Sequence, residues 1–188
     1  MPPAIGALIA ALVVLGFVFL LALLPKKAAA APASVLSPWP DAGPGEGKYP
    51  YADIINKWAG FYKLDPDLVA AHGKVESHFN PTAINLENPA ISYDSSYGLM
   101  QVQLAVAQDF GAVKDYRHAT AAEIAWLMVP EHNVRVGAWN IARWQSRYPW
   151  EVAVQMYNVG ENGYNNKGYR NADYLRKVRE AYNAYNAS

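Results

Sequence analysis

Residues 76–79 read Glu-Ser-His-Phe and residues 97–101 read Tyr-Gly-Leu-Met-Gln, and these two stretches decide how the rest of the chain is interpreted. The first places a carboxyl group near the end of a predicted helix. The second supplies apolar and amide side chains from beyond a loop. Burial against apolar groups disfavours the charged form of a carboxyl group and raises its pKa, so the acid keeps its proton near neutral pH. Glu76 is therefore the candidate general acid.

The segment before Glu76 carries strong helix signals. Asp65 followed by Pro66 predicts a helix start, because Asp caps helix N-termini and Pro favours the first helical position. Asn80 and Pro81 predict the end of this helix, because Pro disfavours helical backbone in the residue before it. The helix that carries the candidate acid is thus bounded on both sides.

The segment after this helix predicts a loop followed by a second helix. Residues 82–96 contain Asn, Pro, Ser and Asp without a clear period, which is typical of a loop. A helix is expected from about Gly98 to Phe110, with Gly111 as its C-terminal stop.

Further helix starts are predicted from capping and proline signals at Thr120 with Glu123, at Pro130, at Pro149 and at Asn171. The Asn- and Gly-rich residues 158–170 predict a mobile loop. The sequence contains no convincing strand and no internal repeat. The globular part is therefore expected to be all-α, with about seven helices.

Composition excludes several classes of function. The chain has 188 residues, with 16 basic and 16 acidic side chains and a formal net charge of zero, so no nucleic-acid partner is expected. Cysteine is absent, which excludes disulfides and thiolate metal sites. The four histidines do not show metal-ligand spacing, so neither a metal nor a cofactor is expected.

The N-terminal segment from Ala4 to Leu24 carries no charged residue. A helix of this length spans roughly 30 Å, the thickness of the hydrocarbon core of a bilayer. We therefore expect residues 1–25 to form a transmembrane anchor, with the lipid bilayer as a partner through residues 4–24. A cleaved signal peptide is the main alternative, because small residues follow at 28–31. However, the segment lacks the basic n-region of a signal peptide, and its apolar run is longer than the usual h-region of about 7–15 residues.

Residues 26–50 are rich in Ala, Pro and Gly and have little apolar periodicity, which predicts an extended linker. Residues 51–188 then form the globular domain. Lys26 and Lys27 follow the apolar span, and the positive-inside rule places such residues on the cytoplasmic side.

Five short motifs in the globular part follow one another in an order that is typical of one family. They are Glu76-Ser77-x-Phe79-x-Pro81-x-Ala83, then Gly98-Leu99-Met100-Gln101, then Asn133 with Gly137, then Tyr157-Asn158-x-Gly160, and finally Tyr174 with Val178. In this combination they resemble the lytic transglycosylases of the soluble, goose-lysozyme-like type. The resemblance covers roughly residues 51–186.

The resemblance implies a lysozyme-like helical fold, peptidoglycan as the substrate and a single catalytic residue, Glu76. Glu76 would act first as acid and then as base. The C6 hydroxyl of N-acetylmuramic acid would attack C1 and leave a 1,6-anhydro end. Substrate-binding roles would fall on Ser77, Gln101, Tyr157, Asn158 and Tyr174.

Departures from the family pattern leave alternatives open. The segment before Gly98 is longer than usual, and the motif also resembles goose-type lysozymes, which hydrolyse the same bond. There Asp94, or less plausibly Glu87, would position water, whereas Gln103 stands where a further lysozyme Asp would fall. A non-catalytic murein-binding structural component is the alternative from another class.

The resemblance conflicts with the orientation that the two lysines favour. We expect a single-pass membrane protein whose catalytic domain lies on the cell-wall side, in a bacterial inner membrane or a phage virion membrane.

Overall fold

The computed structural model describes residues 47–86 and 95–187. The predicted anchor, most of the predicted linker and Asp94 lie outside these residues. Within them, no helix combines the length and the apolar character that crossing a bilayer requires.

The described residues are mostly helical. The helices are α1 (Ala52–Tyr62), α2 (Pro66–Ser77), α3 (Leu104–Phe110), α4 (Ala121–Met128), α5 (Pro130–Gln145), α6 (Trp150–Glu161) and α7 (Ala172–Asn186), with a 3₁₀ turn at Tyr116–His118 and a π-helical turn at Asn162–Asn166. The prediction of about seven helices is confirmed over this part of the chain.

Helix starts that depend on local capping are confirmed. The Asp65 carboxylate accepts from the Asp67 backbone N–H at 2.9 Å at the start of α2. Thr120 and Glu123 form the predicted capping box at the start of α4. Asn171 Oδ1 accepts from the Tyr174 N–H at 2.9 Å and caps α7. Each of these signals involves residues within one helical turn, so sequence spacing alone identifies them.

The prediction of a helix beginning near Gly98 is wrong, because α3 begins at Leu104. Gly98 has φ +72° and Gln101 has φ +44°, and a right-handed helix requires negative φ. Gly111, with φ +90°, ends α3 as predicted.

The expectation that strands are absent is also wrong. Three two-residue strands, β1 (Ile84–Asn85), β2 (Ser96–Tyr97) and β3 (Val102–Gln103), form an antiparallel sheet in the order β1-β2-β3. In register, Ile84 faces Tyr97 and Tyr97 faces Val102. Such short strands give no alternating pattern that sequence reading could detect.

The predicted loop at residues 158–170 is partly helical. Helix α6 continues to Glu161, with a kink at Gly160 (φ +68°), and the π-helical turn follows directly. Helical structure therefore extends well into the segment that the Asn and Gly content had suggested to be irregular.

A buried core joins the helices, with α2 packed on α7 and α5 packed on α1 and α6. Asn133 on α5 is fully buried and holds the stretch before β3. Its Oδ1 accepts from the Met100 N–H at 2.7 Å, and its Nδ2 donates to the Tyr97 carbonyl at 2.8 Å. A Cβ at Gly98 would lie 2.5 Å from Asn133 Nδ2, so glycine permits this close approach.

Candidate active site

Glu76 lies in the last turn of α2, directly before the final helical residue, Ser77. His78 follows in the left-handed conformation, with φ +56°, and ends the helix. The Glu76 side chain is half-buried. The end of α2 therefore places one carboxyl group in a position that is partly shielded from solvent.

Within the described residues, the carboxyl group of Glu76 accepts one short hydrogen bond. The hydroxyl of Tyr174, on α7, donates to Glu76 Oε1 at 2.6 Å. Burial raises the pKa of Glu76 to about 7, and the hydrogen bond from Tyr174 lowers it by a smaller amount. Desolvation therefore outweighs the hydrogen bond, and Glu76 can hold a proton near neutral pH.

Two further aromatic groups complete this cluster. His72 lies one turn before Glu76, is 1% exposed, and has Nδ1 at 2.9 Å from the Tyr174 hydroxyl oxygen. Tyr157, on α6, donates to the Met100 carbonyl at 2.8 Å, and its ring centroid lies 4.6 Å from that of His72. Burial lowers the pKa of His72 to about 3 and raises the pKa values of both tyrosines well above normal.

Glu76 opens into a cleft of about 120 Å³ whose walls come from α2, the three strands, α3, α5 and α6. The cleft is lined by Glu76, Asn85, Ser96, Gln101, Val102, Gln103, Val106, Asn140, Tyr157 and Asn158. Amide side chains and short apolar residues thus surround a single carboxyl group.

The structure brings most of the predicted site residues together at this cleft. Gln101, Tyr157 and Asn158 line it beside Glu76, and Tyr174 contacts the carboxyl group from behind. Gln101 Nε2 donates to the carbonyl oxygens of residues 83 and 98, at 3.2 and 3.0 Å. Its amide is therefore held in place by the loop that it follows.

Ser77, unlike Gln101, Tyr157 and Asn158, is not among the residues that line the cleft. Its hydroxyl donates to the Leu99 carbonyl at 2.8 Å and accepts from the Asn80 N–H at 3.0 Å. These contacts tie the end of α2 to the stretch that carries Gln101. Asp94, the predicted water-positioning residue, lies outside the described residues.

Sequence reasoning missed several cleft residues. Asn140 is 4% exposed, and its Oδ1 has no hydrogen-bond partner within the described residues. It follows Asn133 and Gly137 at helical spacing on one face of α5, a signal that could have identified it. Asn85 and Ser96 come from strands that the sequence did not reveal.

His72 was also missed as part of the site, although it lies four residues before Glu76 and therefore on the same face of α2. Among residues 47–86 and 95–187, no group of three or more His, Asp or Glu side chains is arranged to hold a metal ion. Of the described residues that line the cleft, Glu76 alone carries a carboxylate. The arrangement can therefore donate and accept one proton at a sheltered carboxyl group.

One comparison with known proteins identifies the type of domain. A family model described as "Transglycosylase SLT domain" matches residues 53–179. No curated protein sequence matches the chain. Among solved structures, the chain is similar to the X-ray structure of an inactive mutant of the lytic transglycosylase Slt from Pseudomonas aeruginosa, with 20% identity and a TM-score of 0.47. That similarity covers 72% of this chain and 22% of the Slt chain.

Proposed function

The chain belongs to the transglycosylase SLT domain family, and from this premise we propose that it is a peptidoglycan lytic transglycosylase. The single observation that supports this activity best is the state of Glu76. It is a half-buried acid with a pKa of about 7, and no other described carboxylate lines its cleft. The bond cleaved is the β-1,4 linkage between N-acetylmuramic acid and N-acetylglucosamine.

The first step uses Glu76 as an acid. Its proton passes to the oxygen that bridges the two sugars, and the bond between that oxygen and C1 of N-acetylmuramic acid breaks. A pKa near the working pH suits this role, because an appreciable fraction of the enzyme then carries the proton. Tyr174 steadies the carboxylate that remains, since its hydroxyl already donates to Oε1 at 2.6 Å.

The second step uses the Glu76 carboxylate as a base. It removes the proton from the C6 hydroxyl of the same N-acetylmuramic acid, and that oxygen forms a new bond to C1. The acid is regenerated, and the product ends in a 1,6-anhydro ring without consuming water. Hydrolysis would usually require a second carboxylate, about 5 Å or about 6.5–9.5 Å from the first.

Binding roles fall on side chains that line or support the cleft. The amides of Gln101 and Asn158 supply donors and acceptors for sugar hydroxyl and N-acetyl groups. Tyr157 adds an aromatic surface beside Glu76. Ser77 acts by holding the Leu99 carbonyl, and therefore the backbone next to Gln101.

The test is mass analysis of the products that the full-length protein releases from isolated murein sacculi. We expect muropeptides with 1,6-anhydro ends, each lighter by one water molecule than the hydrolytic product. Glu76→Gln should reduce their release by at least about 10²–10⁴-fold. Binding to sacculi without any released product would instead support a non-catalytic wall-binding component.

Reducing ends in the same assay would support the goose-type muramidase. In that case Asp94→Asn should reduce product release, because Asp94 would position the attacking water. If the protein is a transglycosylase, Asp94→Asn should leave both the rate and the 1,6-anhydro ends unchanged.

We further propose that residues 4–24 anchor the domain in a membrane, with the cleft on the cell-wall side. The uncharged composition of this segment supports the anchor. Full-length protein should sediment with membranes, and protein without residues 1–25 should not. Protease added outside spheroplasts should digest the domain, and a protected domain would contradict the orientation.

A further inference from the structure

Behind the carboxyl group of Glu76, two polar side chains, Tyr174 and His72, extend it into a continuous hydrogen-bonded chain. The Tyr174 hydroxyl donates to Glu76 Oε1 at 2.6 Å, and His72 Nδ1 lies 2.9 Å from the same hydroxyl oxygen. His72 is 1% exposed and Tyr174 is 6% exposed. Because water does not reach these groups freely, each hydrogen bond costs more to lose than it would at the surface.

The direction of the chain follows from the one proton on the Tyr174 hydroxyl. A hydroxyl that gives its proton to Glu76 can offer only lone pairs to His72. Nδ1 of His72 must therefore carry the hydrogen and donate it to Tyr174. Burial lowers the pKa of His72 to about 3, so the ring is neutral and has a single N–H.

We propose that His72 is a positioning residue for Glu76, which acts by holding the hydroxyl proton of Tyr174 on the carboxyl group. Two successive donations then end at Glu76 Oε1, and each polarises the next. Such a chain favours the carboxylate, so it limits how far burial raises the pKa of Glu76. The inference deepens the proposed function, because it rests on that function for the catalytic role of Glu76.

The other titratable groups that face this pair do not replace His72. Tyr157 approaches from α6, but its hydroxyl is committed to the Met100 carbonyl at 2.8 Å. Tyr174 approaches from α7 and is itself the middle of the chain. Burial raises the pKa values of both phenols well above their usual range, so both stay uncharged.

A histidine that only fills space in the core would behave differently. Replacing it with a hydrophobic residue of similar size would then change the free energy of unfolding but not the titration of Glu76. Titration of Glu76 is therefore the property that distinguishes a positioning role from a packing role.

The experiment is a pH titration of Glu76 by NMR in full-length protein with ¹³C-labelled glutamate carboxyl groups, assigned with Glu76→Gln. His72→Leu should raise the pKa of Glu76 by about 0.3 unit, less than Tyr174→Phe does, because it weakens the Tyr174 hydrogen bond without removing it. His72→Asn, whose amide can donate near the position of Nδ1, should restore the pKa toward the wild-type value. Val69→Ala removes buried volume from the same helix and should lower stability without moving the pKa.

A second arm shows whether His72 acts through Tyr174. In a Tyr174→Phe background the chain is broken, so His72→Leu should produce no further shift. An unchanged or lowered pKa of Glu76 in the single His72→Leu variant would overturn the proposal.

A third arm does not depend on any variant folding. The ¹⁵N chemical shifts of His72 in the wild-type protein, measured above pH 7, should show hydrogen on Nδ1. Hydrogen on Nε2 alone would overturn the proposal. Neither readout requires murein cleavage. If the protein releases no product but both readouts give the expected result, the proposed function is refuted and this inference stands.

Discussion

Two glutamates of this molecule accept similar hydrogen bonds, and yet their pKa values are shifted in opposite directions. Glu76 accepts from the Tyr174 hydroxyl at 2.6 Å, and burial raises its pKa to about 7. Glu123 accepts from the Thr120 hydroxyl at 2.7 Å, and hydrogen bonds from the side chain and backbone of Thr120 lower its pKa to about 2. A short hydrogen bond from a hydroxyl group therefore does not by itself determine the pKa of a glutamate.

The two sites differ in their exposure to solvent and in the number of hydrogen bonds that the carboxyl group accepts. Glu123 lies at a helix start in contact with water and also accepts from the backbone N–H groups of Thr120 and Lys114, at 2.8 and 2.9 Å. Glu76 lies in a cleft, and among the described residues only Tyr174 donates a hydrogen bond to its carboxyl group. Capping uses a carboxylate in its ordinary charged form, whereas acid catalysis requires a site that penalises the charge.

The largest expected effect is on activity. Glu76→Gln should reduce muropeptide release by at least about 10²–10⁴-fold, because the amide cannot transfer a proton. Glu123→Gln, the matched control, changes the same residue type outside the cleft and should keep nearly all activity. Release rates from sacculi measure both, and equal losses in the two variants would break the comparison.

The next effect is on stability and has a defined pH dependence. The pKa of Glu76 is about 7 in the folded state and 4.5 as the unperturbed value. The glutamate therefore ionises at lower pH in the unfolded chain than in the folded protein, so the stability of the fold falls between about pH 4.5 and pH 7 and stays low above pH 7. Glu76→Gln should gain about 3 kcal/mol in the free energy of unfolding at pH 8 and nothing below pH 4.5.

Urea unfolding at several pH values measures this gain. His72 is present in both proteins, so its own titration cancels in the difference. A gain that is the same at pH 4 and pH 8 would show that the substitution acts through packing or hydrogen bonding and not through charge.

A smaller effect is expected at the other site. Thr120→Ala removes the hydroxyl that accepts from the Glu123 N–H and should cost about 1 kcal/mol of unfolding free energy. Thermal unfolding measures the loss, with Thr120→Ser as the control that keeps the hydroxyl. Activity should be unaffected, and reduced activity at the temperature where the variant is fully folded would contradict the separation of the two sites.

The smallest effect concerns the hydrogen bond that Tyr174 donates to Glu76. Tyr174→Phe removes the hydrogen bond that lowers the pKa of Glu76, so the pKa should rise above 7 by about one unit or less. The fall in activity at alkaline pH should move upward accordingly in a pH–rate profile. A downward shift would mean that Tyr174 stabilises the protonated acid instead.

The sequence allowed prediction of features that depend on neighbouring residues. Asp65 with Pro66, Thr120 with Glu123, and Asn171 each act within one turn, and all three helix starts are confirmed. The five motifs likewise contain Glu76, Gln101, Tyr157 and Asn158, which line the cleft, although the roles of these residues stay predictions.

What the sequence did not reveal depends on contacts between distant segments. The stretch after Gly98 avoids a helix because Asn133, far along the chain, binds the Met100 N–H and the Tyr97 carbonyl. The chain from His72 through Tyr174 to Glu76 joins two helices that lie about a hundred residues apart in sequence. No local pattern encodes such pairings, since they form only when the helices pack.

The most direct test of the account is a single ¹³C titration of the glutamate carboxyl groups in the wild-type protein. It should show Glu76 titrating near pH 7 and Glu123 near pH 2 in the same sample. If both titrated near the ordinary value of 4.5, burial would not control the proton on Glu76, and the proposed acid–base chemistry would lose its physical basis.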